Sequence, residues 1–263
     1  MENIVNYYID YFMNTGETDM NIVFDVDDTL YDLMAPFQAA HEKFFASQTA
    51  ADATELFMKS RLYSDMILAQ EKQGLTAPED AFAKRIQMTY QDVGLSVSRE
   101  KACLFEQEYR LRQKEIALFP CMERMLNACQ EAQVPMAVLT NGNSRGQRRK
   151  ISALKLERWF DNEHIFISGE TGYQKPDVMA FRHIEDRLGY IPEDTWYVGD
   201  TYEADIISAH QAGWHSIWFN HRKRARRTDL PVAAVEVQSK ENILDVIRNM
   251  VLKFSVDNTR PVK

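Results

Sequence analysis

Residues 21–30 read Asn-Ile-Val-Phe-Asp-Val-Asp-Asp-Thr-Leu and join two different kinds of sequence. The β-branched and aromatic residues before Asp25 are typical of a buried parallel strand, and the carboxylates that follow are typical of a polar site at its carboxyl end. Carboxylates this close together repel one another, so the pattern requires a cation or a division of roles. The segment therefore predicts a metal-assisted carboxylate site. An exposed turn rich in Asp is the alternative, and the apolar strand before it disfavours that interpretation.

The second half of the chain alternates strand-like and helix-like segments. Strands are predicted at 134–140, 164–168, 195–199 and 215–219. Parallel strands joined by right-handed helical crossovers form an open doubly wound sheet, which binds ligands beyond the carboxyl ends of its strands. Together with the first strand, this pattern predicts an α/β fold whose core comprises residues 21–33 and 119–255.

A helical segment, residues 34–118, interrupts this alternation between the first and second strands. Breaks at 73–78 and 93–96 divide it into four helices. Its apolar stripes include Phe37, Phe44, Phe45, Leu62, Met66 and Ala69. Such stripes pack in a core far more often than they bind a ligand, so none is assigned to a substrate.

The composition restricts the class of protein and its partners. At 263 residues, 45% of them hydrophobic, the chain is long enough for a core domain that carries a smaller one. A formal charge of -8 and a pI near 5.3 argue against a general affinity for nucleic acid or anionic membranes. Three cysteines without metal-binding spacing indicate reduced thiols in a cytoplasmic protein. The expected partner is a small molecule.

Residues 1–20 form an extension with an apolar-aromatic segment at 4–13. Glu2, Asp10 and the lack of a basic start disfavour a signal peptide, and the segment is too short to span a bilayer. A short helix packed on the core is expected. A helix that forms a homodimer or binds another partner is the alternative.

The segment Asp25-Val26-Asp27-Asp28-Thr29 resembles the D-x-D-x-T signature of the haloacid dehalogenase-like (HAD) phosphohydrolases. Three further motifs follow in the family's order, at residues 140–142 (Thr-Asn-Gly), 172–177 (Gly-Tyr-Gln-Lys-Pro-Asp) and 199–205 (Gly-Asp-Thr-Tyr-Glu-Ala-Asp). Four motifs in one order make the resemblance specific. It implies a HAD-like Rossmannoid core with the helical segment as a C1-type cap.

The first two motifs imply nucleophilic catalysis on a phosphate ester. Asp25 is the predicted nucleophile, because its carboxylate can attack phosphorus to form an aspartyl-phosphate. The resemblance gives Asp27 the acid/base role toward the leaving oxygen and then toward water. The Thr140 hydroxyl and the backbone amides of Asn141 and Gly142 are predicted to hold the phosphoryl oxygens. Taken alone, Thr-Asn-Gly is merely a helix-capping turn.

The last two motifs imply charge neutralisation. Lys175 is the predicted ammonium donor to the nucleophile and the phosphoryl group, and a solvated surface lysine is the alternative. Oxygen ligands suit Mg²⁺. The resemblance places this metal beside Asp25, Asp200 and the backbone carbonyl of Asp27. Asp205 is predicted to reach the metal through water or to support its ligands.

Residues 221–227 form a basic run, His-Arg-Lys-Arg-Ala-Arg-Arg. Such a run can contact a nucleic-acid backbone, but the acidic chain as a whole disfavours that role. We expect a solvated loop, with contact to an anionic substrate as the alternative.

These motifs together predict a Mg²⁺-dependent phosphatase, a phosphoric monoester hydrolase that acts on a small phosphorylated metabolite. The cap, the basic run and the second and third motifs look most like the YjjG-type 5'-nucleotidases, which implies a nucleoside monophosphate. Sugar phosphates and phosphoglycolate stay open, as do a phosphomutase and a non-catalytic interaction module. Dehalogenase chemistry is disfavoured because, by the same resemblance, those enzymes do not retain the acid/base residue found here as Asp27.

Overall fold

The computed structural model describes residues 20–226 and 235–257 of the chain. Its contacts divide the chain into two compact units, Leu33–Ile116 and the segments on either side of it. The extension at residues 1–20 lies outside the described residues, apart from Met20, which is buried. The helix and the dimer contact expected there therefore stay predictions.

The Leu33–Ile116 unit is helical, as the sequence predicts. Its helices are α1 (Ala35–Phe44), α2 (Ala53–Lys72), α3 (Pro78–Gln91) and α4 (Arg99–Arg112). Phe37, Phe45 and Phe105 pack ring against ring in its interior, which confirms the aromatic stripe of α1 as core. Aromatic pairs of this kind add stabilisation beyond the area that they bury.

The apolar stripe predicted for α2 was wrong at Leu62 and Met66, while the side chain of Ala69 lies outside the described structure. Leu62 is 62% exposed and Met66 is 38% exposed. The helix instead buries Leu56, Phe57 and Ile67. A 20-residue helix with apolar residues on two faces can bury either of them, and packing against its neighbours selects one.

The other unit contains a six-stranded sheet in which every pairing is parallel. The strands are β1 (Asn21–Phe24), β2 (Met136–Thr140), β3 (Ile165–Ile167), β4 (Thr195–Gly199), β5 (His215–Phe219) and β6 (Val235–Val237). Their spatial order is β3-β2-β1-β4-β5-β6. This order confirms the predicted doubly wound sheet. The direction of winding reverses at β1, so a ligand site is expected beyond its carboxyl end.

Helices lie between the strands of this sheet and after the last of them. They are α5 (Pro120–Glu131), α6 (Ser144–Ala153), α7 (Ser168–Thr171), α8 (Met179–Leu188), α9 (Ser208–Gln211) and α10 (Lys240–Asp257), with a π-helix at Tyr202–Ile207 before α9. Pro120 starts α5, where its missing N–H has no partner to lose. The Asn143 side chain caps α6 by accepting from the Gly146 amide at 2.8 Å. Local signals therefore set these two helix starts.

One core cluster packs α8 against the sheet. It contains Val23 of β1, Leu139 of β2 and Tyr197 of β4, with Phe181 and Ile184 of α8. The Phe181 and Tyr197 rings meet edge to face, with centroids 5.3 Å apart. This packing fixes the Tyr197 ring beneath the carboxyl edge of the sheet.

All three cysteines are free thiols, as their spacing predicts. Among residues 20–226 and 235–257, the helices are too short or too polar to cross a lipid bilayer.

Candidate active site

Four of the predicted site residues meet at the carboxyl edge of the sheet. Asp25 directly follows β1 and Asp200 directly follows β4, while Lys175 lies between α7 and α8 and Asp205 lies in the π-helix. None is more than 6% exposed. Neighbouring parallel strands end at the same edge, so residues far apart in the chain converge there.

The predicted nucleophile is held by three contacts. Asp25 Oδ1 accepts from Lys175 Nζ at 2.7 Å, and Oδ2 accepts from the Thr29 hydroxyl at 3.2 Å. The Asp25 amide donates to the Val198 carbonyl at 2.9 Å, which extends the β1–β4 pairing by one residue. Both the backbone and the carboxylate are therefore positioned.

Lys175 connects three acceptors. Besides Asp25, its Nζ donates to Asp205 Oδ1 at 2.6 Å and to the Tyr197 hydroxyl at 2.6 Å. Tyr197 in turn donates to the Leu139 carbonyl at 3.0 Å. Burial opposes the charged ammonium, but the Asp205 and Asp25 carboxylates hold the pKa of Lys175 well above its usual value. The predicted ammonium donor is thus a buried, paired lysine.

Gly199 allows Asp205 to reach this lysine. A Cβ atom at position 199 would lie 2.6 Å from Asp205 Cγ, closer than nonbonded carbon atoms approach. The Thr201 amide donates to Asp205 Oδ2 at 2.9 Å and fixes the other carboxylate oxygen. Only glycine at the end of β4 leaves room for this arrangement.

Asp25, Asp200 and Asp205 form a group of carboxylates that could hold a metal ion. Each offers an oxygen, and these oxygens lie within 4.8 Å of one another. Burial raises the pKa of Asp25 to about 8, which Lys175 partly opposes. It also raises the pKa of Asp200 to about 7, which Arg224 partly opposes. Buried oxygen donors short of positive charge fit a hard divalent cation.

The Asp27 side chain does not join this group. Lys150 Nζ donates to its two oxygens at 2.7 and 2.6 Å, and the Tyr31 hydroxyl donates at 2.7 Å. Gln147 Nε2 donates at 3.2 Å. Both Lys150 and Gln147 lie on α6. The predicted acid/base residue is therefore turned toward α6 and held there as an ion pair.

The second motif supplies a buried hydroxyl and a side chain that binds the Lys175 backbone. The Thr140 hydroxyl is buried and has no hydrogen-bond partner among the described residues. The Asn141 side chain accepts from the Lys175 amide at 2.9 Å and donates to the Lys175 carbonyl at 2.7 Å. The Gly142 amide, predicted to bind phosphate, donates to the Ser168 hydroxyl at 2.9 Å. The Thr140 hydroxyl is therefore available to an anion, while the contact predicted for the Asn141 backbone amide stays a prediction.

The expectation of a solvated loop at 221–227 was wrong for its first part. Arg222 Nη2 donates to Asp28 Oδ1 at 2.6 Å, and Arg224 Nη2 donates to Asp28 Oδ2 at 2.6 Å. His221 Nε2 lies 2.9 Å from the Asp28 carbonyl oxygen. Asp28 is buried, and an unpaired carboxylate in the interior would be costly, so the pairing with Arg222 and Arg224 stabilises it. Arg227 lies outside the described residues.

Asp28 has an unusual backbone conformation for a residue with a side chain. Its φ angle is 65°, in the left-handed region that Asp and Asn tolerate better than most residues. Burial opposes its ionisation, but hydrogen bonds from His221 and Arg222 and the charges of Arg222 and Arg224 hold its pKa well below the usual range. Asp28 is therefore an anionic anchor for the basic loop.

Sequence reasoning missed Tyr197, Lys150 and Arg224 as parts of this site. In the sequence, Tyr197 looks like any aromatic residue of a buried strand, so nothing there indicates that its hydroxyl contacts Lys175. Lys150 belongs to no recognisable motif and lies 123 positions after Asp27 in the chain. Arg224 belongs to a conspicuous basic run, but its partners Asp28 and Asp200 lie 196 and 24 positions before it, so no local pattern indicates an internal role.

A family comparison agrees with this geometry. The model of the haloacid dehalogenase-like hydrolases matches residues 20–213. The chain belongs to this family. The match covers every residue of the carboxylate group and Lys175.

Two characterised relatives are phosphatases by name. N-acylneuraminate-9-phosphatase of Mus musculus is 34% identical over 125 residues, which is 47% of this chain and 50% of that protein. Pyrimidine 5'-nucleotidase PynA of Streptococcus pneumoniae is 24% identical over 240 residues, which is 88% of this chain and 96% of that protein. The chain thus spans about half the length of the mouse relative and nearly all of the bacterial one.

Solved structures share the fold. The putative HAD-hydrolase YfnB of Bacillus subtilis, solved bound to magnesium, has a TM-score of 0.64 at 22% identity, covering 88% of this chain and 99% of that one. The L-2-haloacid dehalogenase of Xanthobacter autotrophicus has a TM-score of 0.66 at 15% identity, with the same coverage. At these identities the likeness concerns the fold alone.

Proposed function

We propose that this HAD-family hydrolase is a Mg²⁺-dependent phosphatase that hydrolyses a small phosphorylated metabolite through an aspartyl-phosphate on Asp25. The observation that carries the proposal is the surroundings of Asp25. Its carboxylate lies at the carboxyl end of β1, 2.7 Å from the Lys175 ammonium and within the group that could hold a metal. A nucleophile, a fixed cation and a metal site together suit attack on a phosphate dianion.

In the first half-reaction, an Asp25 oxygen attacks phosphorus and the bond from phosphorus to the leaving oxygen breaks. Lys175 stays charged and offsets negative charge on Asp25 and on the phosphoryl group. The buried Thr140 hydroxyl donates to a phosphoryl oxygen, which gives it the acceptor that it lacks among the described residues. Asp25, Asp200 and Asp205 would hold Mg²⁺, which supplies further positive charge to the phosphoryl oxygens when it is bound.

Asp27 acts as general acid and then as general base in this proposal. It gives a proton to the leaving oxygen, then accepts one from the water that attacks phosphorus, so that inorganic phosphate leaves and Asp25 is restored. Its carboxylate is paired with Lys150 in this structure. The role therefore requires Asp27 to leave Lys150 and to carry a proton when the ester bond breaks.

The relatives support phosphatase chemistry and suggest substrate classes to test. One acts, by its name, on a pyrimidine 5'-nucleotide and another on an N-acylneuraminate 9-phosphate. YfnB supports the choice of metal, because it was solved with magnesium. The presence of Asp27 favours a phosphatase over a dehalogenase. We take a nucleoside monophosphate as the first substrate to test and sugar phosphates as the second.

The test is inorganic phosphate release from a panel of nucleoside monophosphates, sugar phosphates and phosphoglycolate, with Mg²⁺ or with excess EDTA. We expect one class to be preferred and EDTA to abolish turnover. Full turnover in EDTA, or no phosphate release from any ester in the panel, would overturn the proposal.

Asp27→Asn separates a phosphatase from a phosphomutase. With an activated aryl phosphate the first step needs little proton donation, while the second step lacks its base, so a phosphorylated form should accumulate. Intact-protein mass after acid quenching detects it, and the double variant with Asp25→Asn is the control that cannot be phosphorylated. If wild-type protein passes the phosphoryl group only to sugar hydroxyls, the chain is a mutase.

A further inference from the structure

Both oxygens of Asp200 already have partners in the described structure. Oδ1 accepts from the Thr201 hydroxyl at 3.1 Å, and Oδ2 is paired with Arg224 Nη1. Asp200 also belongs to the carboxylate group that could hold a metal. A metal that uses Asp200 must therefore share or take over an oxygen that an arginine occupies.

The backbone of Arg224 is fixed independently of that contact. The Asn220 side chain accepts from the Arg224 amide at 2.7 Å and donates to the Arg224 carbonyl at 3.0 Å. Asn220 is buried and also donates to Glu236 of β6 at 2.8 Å. The guanidinium can thus change its partner while the loop stays in place.

One N–H of the Arg224 guanidinium has no hydrogen-bond partner in the described part of the chain, and another donates to a second carboxylate, Asp28. Its Nε is buried and lacks a hydrogen-bond partner among the described residues. Its Nη2 donates to Asp28 Oδ2 at 2.6 Å. Arg224 can therefore release Asp200 and remain paired with Asp28, which lowers the cost of the exchange.

We propose that Arg224 is an internal competitor of the divalent cation for Asp200. This inference rests on the proposed metal site. A metal ion and a guanidinium that shared Asp200 Oδ2 would place two like charges on one buried carboxylate oxygen, where they repel strongly. Arg224 neutralises Asp200 when no metal is present and weakens metal binding, while Asp28 holds the arginine within reach. Arg224 is thus a positioning residue that sets metal affinity.

Calorimetric titration of the metal-free protein with Mg²⁺ tests the inference without measuring turnover. We expect Arg224→Met to bind Mg²⁺ with a Kd about tenfold lower than that of wild type. Arg226→Met is the matched control, since it removes the same charge two positions away. Arg226 pairs with Glu236 at 3.7 Å and lies over the Tyr202 ring. We expect its Kd to stay within about twofold of the wild-type value.

The side-chain NMR signals of arginine in ¹⁵N-labelled wild-type protein give a second measurement, in which a variant serves only to assign one signal. Addition of Mg²⁺ should shift the Arg224 signal, assigned with Arg224→Lys, and leave the Arg226 signal in place. An unmoved Arg224 signal in protein that binds Mg²⁺ would overturn the inference.

The outcomes separate this inference from the proposed function. If wild type binds Mg²⁺ and Arg224→Met binds it equally or more weakly, the competition is refuted and the phosphatase proposal stands. If neither protein binds Mg²⁺, the metal site and the competition are both refuted. Tighter binding by Arg224→Met, with Arg226→Met unchanged, supports both.

Discussion

The loop after β1 carries two buried carboxyl groups whose pKa values are shifted in opposite directions. Asp25 and Asp28 are three residues apart and both are buried. Burial raises the pKa of Asp25 to about 8, whereas His221, Arg222 and Arg224 hold the pKa of Asp28 well below its usual range.

Both carboxyl groups are buried, so the number of cations around each one explains the difference between their pKa values. Asp28 pairs with two arginines, while Asp25 shares its single lysine with Asp205. The charge of Asp28 is balanced by these arginines, and Asp28 holds the basic loop in place. Asp25 lacks positive charge at the point where the proposed metal and phosphate would bind.

The largest expected effect is the loss of activity in Asp25→Asn. The amide is nearly isosteric but cannot attack phosphorus, so kcat should fall by about a thousandfold or more. The free energy of unfolding in EDTA should not fall, because the variant removes a carboxyl that burial disfavours. Phosphate release and urea unfolding measure the two quantities. A variant that retains a tenth of the wild-type rate would show that the nucleophile is misassigned.

Asp28→Asn should have the converse effect. Asn tolerates the left-handed backbone equally well, so the substitution removes only the charge that Arg222 and Arg224 share. Each arginine loses a carboxylate partner, while Arg222 keeps Asp32 and Arg224 keeps Asp200, so the free energy of unfolding should fall by about 3 kcal/mol. Urea unfolding beside Asp25→Asn is the measurement. Equal loss of stability in both variants would remove the distinction between the two carboxyl groups.

The two carboxyl groups should also affect stability in different pH ranges. A carboxyl whose pKa is raised by folding stabilises the folded state at low pH, and this contribution is lost as the pH rises. The loss runs from about pH 4 to about 8 for Asp25 and from about pH 4 to about 7 for Asp200. It amounts to about 1.4 kcal/mol per pH unit for each proton that the fold retains. Asp28 has the opposite sign, because its contribution is lost as the pH falls below about 4.

Urea unfolding of metal-free protein at several pH values between 5 and 8 measures this loss. Mg²⁺ should reduce the slope because it favours the ionised carboxylates, and Asp25→Asn should reduce it as well. The same slope in wild type and Asp25→Asn would show that Asp25 does not retain a proton in the metal-free fold.

The smallest expected effect concerns the hydroxyl of Tyr197. In Tyr197→Phe, Lys175 loses one of its three acceptors but keeps both carboxylates, so kcat should fall by about threefold to tenfold. Tyr190→Phe is the matched control, because the buried Tyr190 hydroxyl has no hydrogen-bond partner among the described residues. Its kcat should match wild type. Equal rates for both variants would show that Tyr197 does not position Lys175.

Much of the fold was predictable because its signals are local. The runs at 195–199 and 215–219 coincide with β4 and β5, since each is a short apolar segment between turn residues. The three-residue β6 was missed, because Val-Glu-Val offers too little pattern to distinguish a strand from a loop. Helix α2 has two apolar faces, and only its tertiary packing shows which one is buried.

Site residues that belong to a motif could be predicted from the sequence. Ion pairs between residues far apart in the sequence could not. Asp25, Lys175, Asp200 and Asp205 follow from their motifs, and the structure brings them together. Arg222 lies 194 positions after Asp28, so no local pattern connects them. The pairing of Lys150 with Asp27 likewise depends on how α6 packs, which the sequence does not specify.

The two hydrogen bonds between the Asn141 side chain and the Lys175 backbone have a consequence for local dynamics. They join the loop after β2 to the loop that carries Lys175, in the way that a strand partner would. The two loops should therefore open as one cooperative unit, and the Lys175 amide should exchange with solvent as slowly as an amide inside the sheet. Slow exchange at that one loop amide would report that the ammonium group and the Thr140 hydroxyl keep their spacing between turnovers.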